Sequence, residues 1–271
     1  MPKPHLYFSE LGHKHFSKCG FDQLMSLEGK PFRDVKGRKT IQFKTANDSF
    51  FIKQHFGVGW MEIIKNLLTL KLPIIGAETE KIAIQKLDEI GIATTPLVAF
   101  GERGLNPANR QSFLITQDLG NIISLEDFCR DWKINPPDHQ VKHELIIAVA
   151  TLTKKLHEGG LVHRDFYLCH LCLDVDLLKR GKIKLYLIDL HRMLMSQAVG
   201  GKSAMKDIAA LYFSAMDIGL SKEDYNLFKQ YYCQDLPLKF WAQVKQRAHK
   251  LYAKFHSAKF QERLKTEKSA L

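Results

Sequence analysis

Apolar residues follow a period of two along the first part of this chain and a period near 3.6 along the rest. Ile41–Lys44 and Ser49–Gln54 read as strands on either side of Ala46-Asn47-Asp48, a turn signal, so a β-hairpin is expected with Lys53 near the end of its second strand. Thr94–Phe100 and Gln111–Thr116 read as two more strands, joined by a loop over Gly101–Pro107. Between these pairs, apolar residues at 60, 63, 64, 67 and 68 predict a helix over Trp60–Leu72, and a second helix follows Gly76. After about residue 120 helices dominate. Ser124-Leu125-Glu126-Asp127 resembles a capping box. Asn135-Pro136-Pro137 breaks the chain, and Val141–Glu158 places Leu145, Val149, Leu152 and Leu156 on one face before Gly159-Gly160 ends it. Short strands near Leu171 and over Ile183–Ile188 flank the turn Lys179–Lys182, and helices resume from about Lys206. The expected fold class is α+β: a small sheet with helices, then a larger helical half, with a ligand cleft between two lobes.

Composition narrows the class. In 271 residues, 45% are hydrophobic and 25% charged, which excludes a disordered or collagen-like chain. The most apolar stretch, Ile63–Ile75, is broken by Lys65, Asn66 and Lys71, so no membrane span is expected. No apolar signal core follows Met1-Pro2-Lys3-Pro4-His5, and the five cysteines are odd in number and scattered; a cytoplasmic location is expected. The net charge is +11, and most of the excess lies in the tail: from Lys239 onward nine basic residues face two acids. There Phe240, Trp241, Val244, Ala248, Leu251, Tyr252 and Phe255 keep helical spacing. Such a basic amphipathic helix either packs on its own domain or meets an anionic surface.

The candidate chemistry centres on Leu161-Val162-His163-Arg164-Asp165, between a long helix and a short strand. Further on, Asp189 ends an apolar strand, where packing gives no reason for an acid. A carboxylate so placed can hold a divalent metal, and a second one nearby can accept or orient a hydroxyl proton. Upstream, Glu80 shares a helical face with Ala83, Ile84 and Leu87, so it needs a cationic partner. Lys53 is the candidate, since Glu78 lies on a more polar face with Lys81 and Gln85.

Strand lysine, helix glutamate, His-Arg-Asp and metal aspartate, in that order, resemble the bilobal protein-kinase fold. The departures argue against a protein substrate. No Gly-x-Gly-x-x-Gly precedes Lys53; the turn there is Arg33–Lys39 with one glycine. Asp189-Leu190-His191 replaces Asp-Phe-Gly, His170 stands at the usual asparagine position, and no Ala-Pro-Glu follows. These peculiarities, with the segments Ile63–Pro73, Ala99–Pro107, Ile123–Asp127, His163–His170, Ile188–Arg192 and Ala210–Ser214, resemble the lipopolysaccharide core heptose(I) kinases of Gram-negative bacteria over roughly residues 30–225. Kdo kinases share the scaffold and are the alternative, followed by a protein kinase or a non-enzymatic binding module.

The resemblance implies ATP and Mg²⁺, with a heptose hydroxyl of the lipid A-linked inner-core oligosaccharide as acceptor. It assigns Lys53, held by Glu80, to the α/β-phosphates, Asp189 to Mg²⁺, His170 to the second metal-ligand position or to a phosphate or Asp189, and Asp165 to the acceptor hydroxyl. Adenine would rest against the backbone near Gln117 and Leu119. Acyl carrier protein, an acidic partner, would suit the 60–72 helix or the tail, and the tail would also suit the cytoplasmic face of the inner membrane; nucleic acid is not expected. The expected division is an extension at 1–30, a small lobe at 31–119, a large lobe at 120–238 and the tail helix at 239–271. Three features stay open on their residues alone. Asp207 either caps a helix or anchors the His-Arg-Asp backbone. Cys169 and Cys172 read as buried thiols or half a zinc site. His191 and Arg192 contact phosphate or sugar, or solvent.

Overall fold

A computed structural model describes residues 3–35, 37–61, 64, 76–195 and 199–269. The chain forms two compact units, one running to Gly120 and joined by Asp189–Arg192, the other made of Asn121–Ile188 and the chain from Met193 onward.

The first unit is built on a six-stranded antiparallel sheet, in the order β1 (His5–Phe8), β5 (Leu97–Arg103), β6 (Gln111–Gln117), β4 (Ser49–His55), β3 (Arg38–Lys44), β2 (Lys30–Val35). The hairpin expected around Ala46–Asp48 is β3–β4, with Ile41 opposite Ile52 and Thr40 opposite Lys53. Alternation along β4 sends Phe50 and Ile52 into a core with Phe16, Phe21 and Leu24 of α1 (Glu10–Phe16) and α2 (Phe21–Met25). The segment expected as an extension therefore supplies an edge strand and two helices, because its aromatic and leucine side chains cover one face of the sheet. Lys53 and His55 alternate onto the other face, on the side of α3 (Glu78–Glu89). The loop expected over Gly101–Pro107 is shorter than its sequence suggests: β5 continues to Arg103, and Gly101 is required inside it because a Cβ there would lie 2.4 Å from the Phe113 ring. Apart from Trp60, Met61 and Ile64, the helix expected over 60–72 lies outside the described residues.

The second unit is mainly helical: α4 (Leu125–Phe128), α5 (His139–Glu158), α6 (Val175–Leu178), α7 (Lys202–Ser214), α8 (Lys222–Cys233), α9 (Leu238–Phe255) and α10 (Ala258–Ser269). Three short strands, β7 (Ile122–Ser124), β9 (Leu171–Asp174) and β10 (Leu185–Leu187), make one small sheet, and β8 (Leu161–Val162) pairs with β11 (Leu194–Met195). The tail divides into α9 and α10 at Ser257, whose carbonyl accepts the Phe260 and Gln261 N–H groups that open the new helix. Phe240, Val244 and Ala248 bury one stripe of α9 against α7, leaving the lysines of α9 exposed. Packing on its own unit thus accounts for the apolar face of the tail. Among the described residues no helix is long and apolar enough to cross a membrane.

The first-unit core depends on close approach of α1 to β5. A Cβ at Gly12 would lie 2.1 Å from the Val98 carbonyl oxygen. Gly12→Ala is expected to cost about 1–3 kcal/mol and lower the melting temperature by about 2–10 °C. An unchanged melting curve would contradict this packing.

Candidate active site

In the first unit, Lys53 Nζ lies 2.5 Å from Glu80 Oε1. The Glu80 side chain is 5% exposed and that of Lys53 30%, so the lysine keeps one side toward solvent while the glutamate is fixed beneath it. Glu80 is buried along with Ala83, Ile84 and Leu87, the face its spacing implied. The chain enters this unit again at Asp189, where a 3-10 turn over Leu190–Arg192 packs against α3. Asp189 has φ +62°, in the left-handed region, and its Oδ1 accepts a 2.5 Å hydrogen bond from His191 Nδ1. His191 is therefore a partner of the acid two residues before it.

His55 completes this group. It is 6% exposed, and burial, reinforced by the cations Arg38 and Lys53 and by His191, lowers its pKa from 6.5 to about 4. Among the described residues its buried Nδ1 has no hydrogen-bond partner. A neutral imidazole spares the group a further cation beside Lys53.

In the second unit, the His163-Arg164-Asp165 loop follows β8. Asp207 lies inside α7, not at its start, and is 1% exposed. Its Oδ2 accepts the His163 N–H at 2.6 Å and its Oδ1 the Arg164 N–H at 2.8 Å. Of the two roles open from sequence, anchoring is the one present; α7 begins five residues earlier, at Lys202, so Asp207 caps nothing. The anchor holds Arg164 at φ +72°, a backbone state that costs about 1–3 kcal/mol for a side chain of this size. His163 Nε2 donates to the Ile188 carbonyl at 2.9 Å, next to the residue where the chain leaves this unit for Asp189. His170 Nδ1 donates to the Asp165 carbonyl at 2.7 Å.

The segment after β6 is knitted by Asp118, whose Oδ2 accepts from Gln42 Nε2 at 2.7 Å and Ser49 Oγ at 2.9 Å. Gln117 donates its N–H to the Pro96 carbonyl at 3.0 Å, and Leu119 is half-buried just beyond.

The model of the lipopolysaccharide kinase (Kdo/WaaP) family matches residues 22–232. This chain belongs to that family. It is 44% identical over 216 residues to the lipopolysaccharide core heptose(I) kinase WaaP of Escherichia coli K12, covering 79% of this chain and 82% of that protein. To the WaaP of Pseudomonas aeruginosa it is 43% identical over 205 residues, 75% of this chain and 76% of that one. A solved structure described as WaaP in complex with acyl carrier protein superposes with a TM-score of 0.77 at 34% identity, over 92% of this chain and 99% of that one.

For this lipopolysaccharide kinase family member, the residues picked out in sequence fall into two sets. Lys53, Glu80, Asp189 and the 117–119 segment lie in the first unit; Asp165 and His170 lie in the second. Among the described residues no group of three or more His, Cys, Asp or Glu side chains forms a ready cation cage. A single carboxylate such as Asp189 would suit Mg²⁺, a hard ion that takes oxygen ligands. Cys172 is not part of such a set: burial pushes its thiol up to about 11, so it stays a protonated core group.

Sequence reading passed over His55 and His157. The signal for His55 was its place two residues after Lys53, on the same strand face. His157 sits at the C-terminal end of α5, where a histidine reads as an ordinary helix-end cation.

His55 carries a pH prediction. Its folded pKa lies below its unfolded value, so the unfolded chain binds the extra proton, and stability is full above about 6.5 and lost as pH falls toward about 4. The loss from this group is about 3 kcal/mol. In His55→Gln, melting temperature should fall less steeply between these pH values than in the wild type. Parallel curves would show that His55 is not held neutral.

Proposed function

We propose that this protein transfers the γ-phosphoryl group of ATP to a hydroxyl of heptose I in the inner core of lipopolysaccharide. The observation that carries this reading is the match to the lipopolysaccharide kinase family over residues 22–232, a stretch that contains every candidate site residue. The relatives at 43% and 44% identity are heptose(I) kinases, which favours heptose over Kdo as the acceptor.

Phosphoryl transfer passes through a loose transition state, so positioning and charge neutralisation supply most of the catalysis. Lys53, fixed by Glu80 at 2.5 Å, neutralises the α/β-phosphates. Asp189, oriented by His191, and His170 at the second ligand position are the residues that would hold Mg²⁺, which would offset charge on the phosphates when bound. Since the Gln117 N–H is committed to Pro96, its part in holding adenine falls to its carbonyl, beside the Leu119 peptide. Asp165 accepts a hydrogen bond from the heptose hydroxyl and aims the oxygen at the γ-phosphorus. As the new O–P bond forms, the bond to the β–γ bridging oxygen breaks, ADP leaves, and the hydroxyl proton passes to Asp165 late in the step.

Acyl carrier protein is the partner we propose, since a solved relative is WaaP in complex with it. Such a carrier is acidic and bears an acyl chain. In the second unit, α5, α7, α8 and α9 enclose a mostly apolar cavity of about 480 Å³, lined by Val149, Leu211 and Phe228 with Lys222, Lys229 and Lys245. Those features suit a chain tethered to an anionic protein. The exposed cations of α9 and α10 suit the anionic surface in which a lipid-anchored acceptor sits, at the cytoplasmic face of the inner membrane.

Two measurements test these readings. Asp165→Ala should lower turnover on heptose-bearing core by about 10²- to 10⁴-fold while ATP still binds. Wild-type turnover would remove Asp165 from the mechanism. Lys222→Glu with Lys245→Glu, both exposed positions, should weaken carrier-protein binding at least about tenfold and flatten its salt dependence. Unchanged affinity in calorimetry would place the carrier elsewhere.

A further inference from the structure

Three buried polar residues of the second unit lie behind the Asp165 loop, and two of them have no place in the mechanism above. Tyr232 of α8 is 0% exposed, His157 of α5 is 1% exposed and Asp207 of α7 is 1% exposed. Tyr232 Oη and His157 Nδ1 are 2.8 Å apart. On the other side of the imidazole, His157 Nε2 lies 3.5 Å from Asp207 Oδ2, the oxygen that receives the His163 N–H at 2.6 Å. That distance is an electrostatic contact, and among the described residues Nε2 has no hydrogen-bond partner.

The donors can be assigned. With the Tyr232 O–H donating to Nδ1, the His157 proton resides on Nε2 and points at the Asp207 carboxylate. A phenylalanine and a leucine would fill this space without burying polar atoms that must each find a partner. The pair lies at the back of the one carboxylate that sets the backbone of His163 and Arg164.

We propose that Tyr232 is a positioning residue for phosphoryl transfer: through His157 it fixes the orientation of the Asp207 carboxylate, and with it the backbone of the loop that presents Asp165. α8 is thereby coupled to the catalytic loop. The inference rests on the phosphotransfer reading for its effect on turnover, and on geometry alone for its effect on the loop.

Tyr232→Phe deletes one oxygen and keeps the ring. The amides of His163 and Arg164, followed by hydrogen exchange of a peptide spanning 161–168, should exchange about tenfold faster in this variant. For the heptose acceptor kcat should fall about tenfold, with KM for ATP unchanged within about twofold. Adding His157→Phe should cause little further loss, because the tyrosine acts through the histidine. If Tyr232→Phe fails to fold, His157→Phe alone carries the same expectations. Wild-type exchange and kcat in the single variant, or full additivity in the double, overturns the proposal. Should the wild-type enzyme leave heptose unphosphorylated, the functional reading fails while hydrogen exchange still decides the coupling.

Discussion

One buried carboxylate sets the geometry of the loop on which the proposed catalysis depends. Asp207 is sealed inside the helical unit, and its two oxygens are taken by consecutive backbone N–H groups, those of His163 and Arg164. Burying a charge is costly unless it is hydrogen-bonded, and here the partners are peptide donors that cannot rotate away. The same bonds hold Arg164 in the left-handed region. A turn of that kind directs the following residue, Asp165, out of the line of β8. Strain at Arg164 persists because the carboxylate, the strand before it and the His163–Ile188 bond over-determine the loop.

The sheet unit solves a different electrostatic problem. In the proposed reaction a nucleotide would bring several negative charges, so the group around Lys53 must be cationic yet stable by itself. Glu80 stabilises Lys53 from beneath, and the glutamate is itself fixed by an apolar helix face. Asp189 supplies the opposing charge in a turn whose left-handed backbone is held next to α3. His55, kept neutral by burial and by the cations around it, adds bulk without adding charge.

Much of this was legible in the residues. Glu80 could be paired because a glutamate on an apolar face demands a cation, and Asp189 stood out because an acid closing an apolar strand has no packing role. Asp207 remained ambiguous, since whether it begins a helix or lies inside one depends on where α7 starts, and Gly201, with no side chain to cap with, gives a weak signal for that. The strand continuing through Gly101 was hidden because glycine normally weakens a strand; the nearby Phe113 and Leu6 side chains explain it. Likewise the break at Ser257 interrupts a helical pattern without Gly or Pro. His157 and Tyr232 were silent because their significance lies in a partner brought in by tertiary packing, which no local period encodes.

The central claim is that this chain phosphorylates heptose in lipopolysaccharide. Its most direct test is to incubate the purified protein with γ-labelled ATP, Mg²⁺ and inner-core lipopolysaccharide lacking core phosphate, then locate the new phosphate by mass spectrometry of the released sugars. Phosphate on the first heptose, absent without the protein, is the predicted result. Phosphate on Kdo, or none on any sugar with a folded, nucleotide-binding protein, would contradict the account.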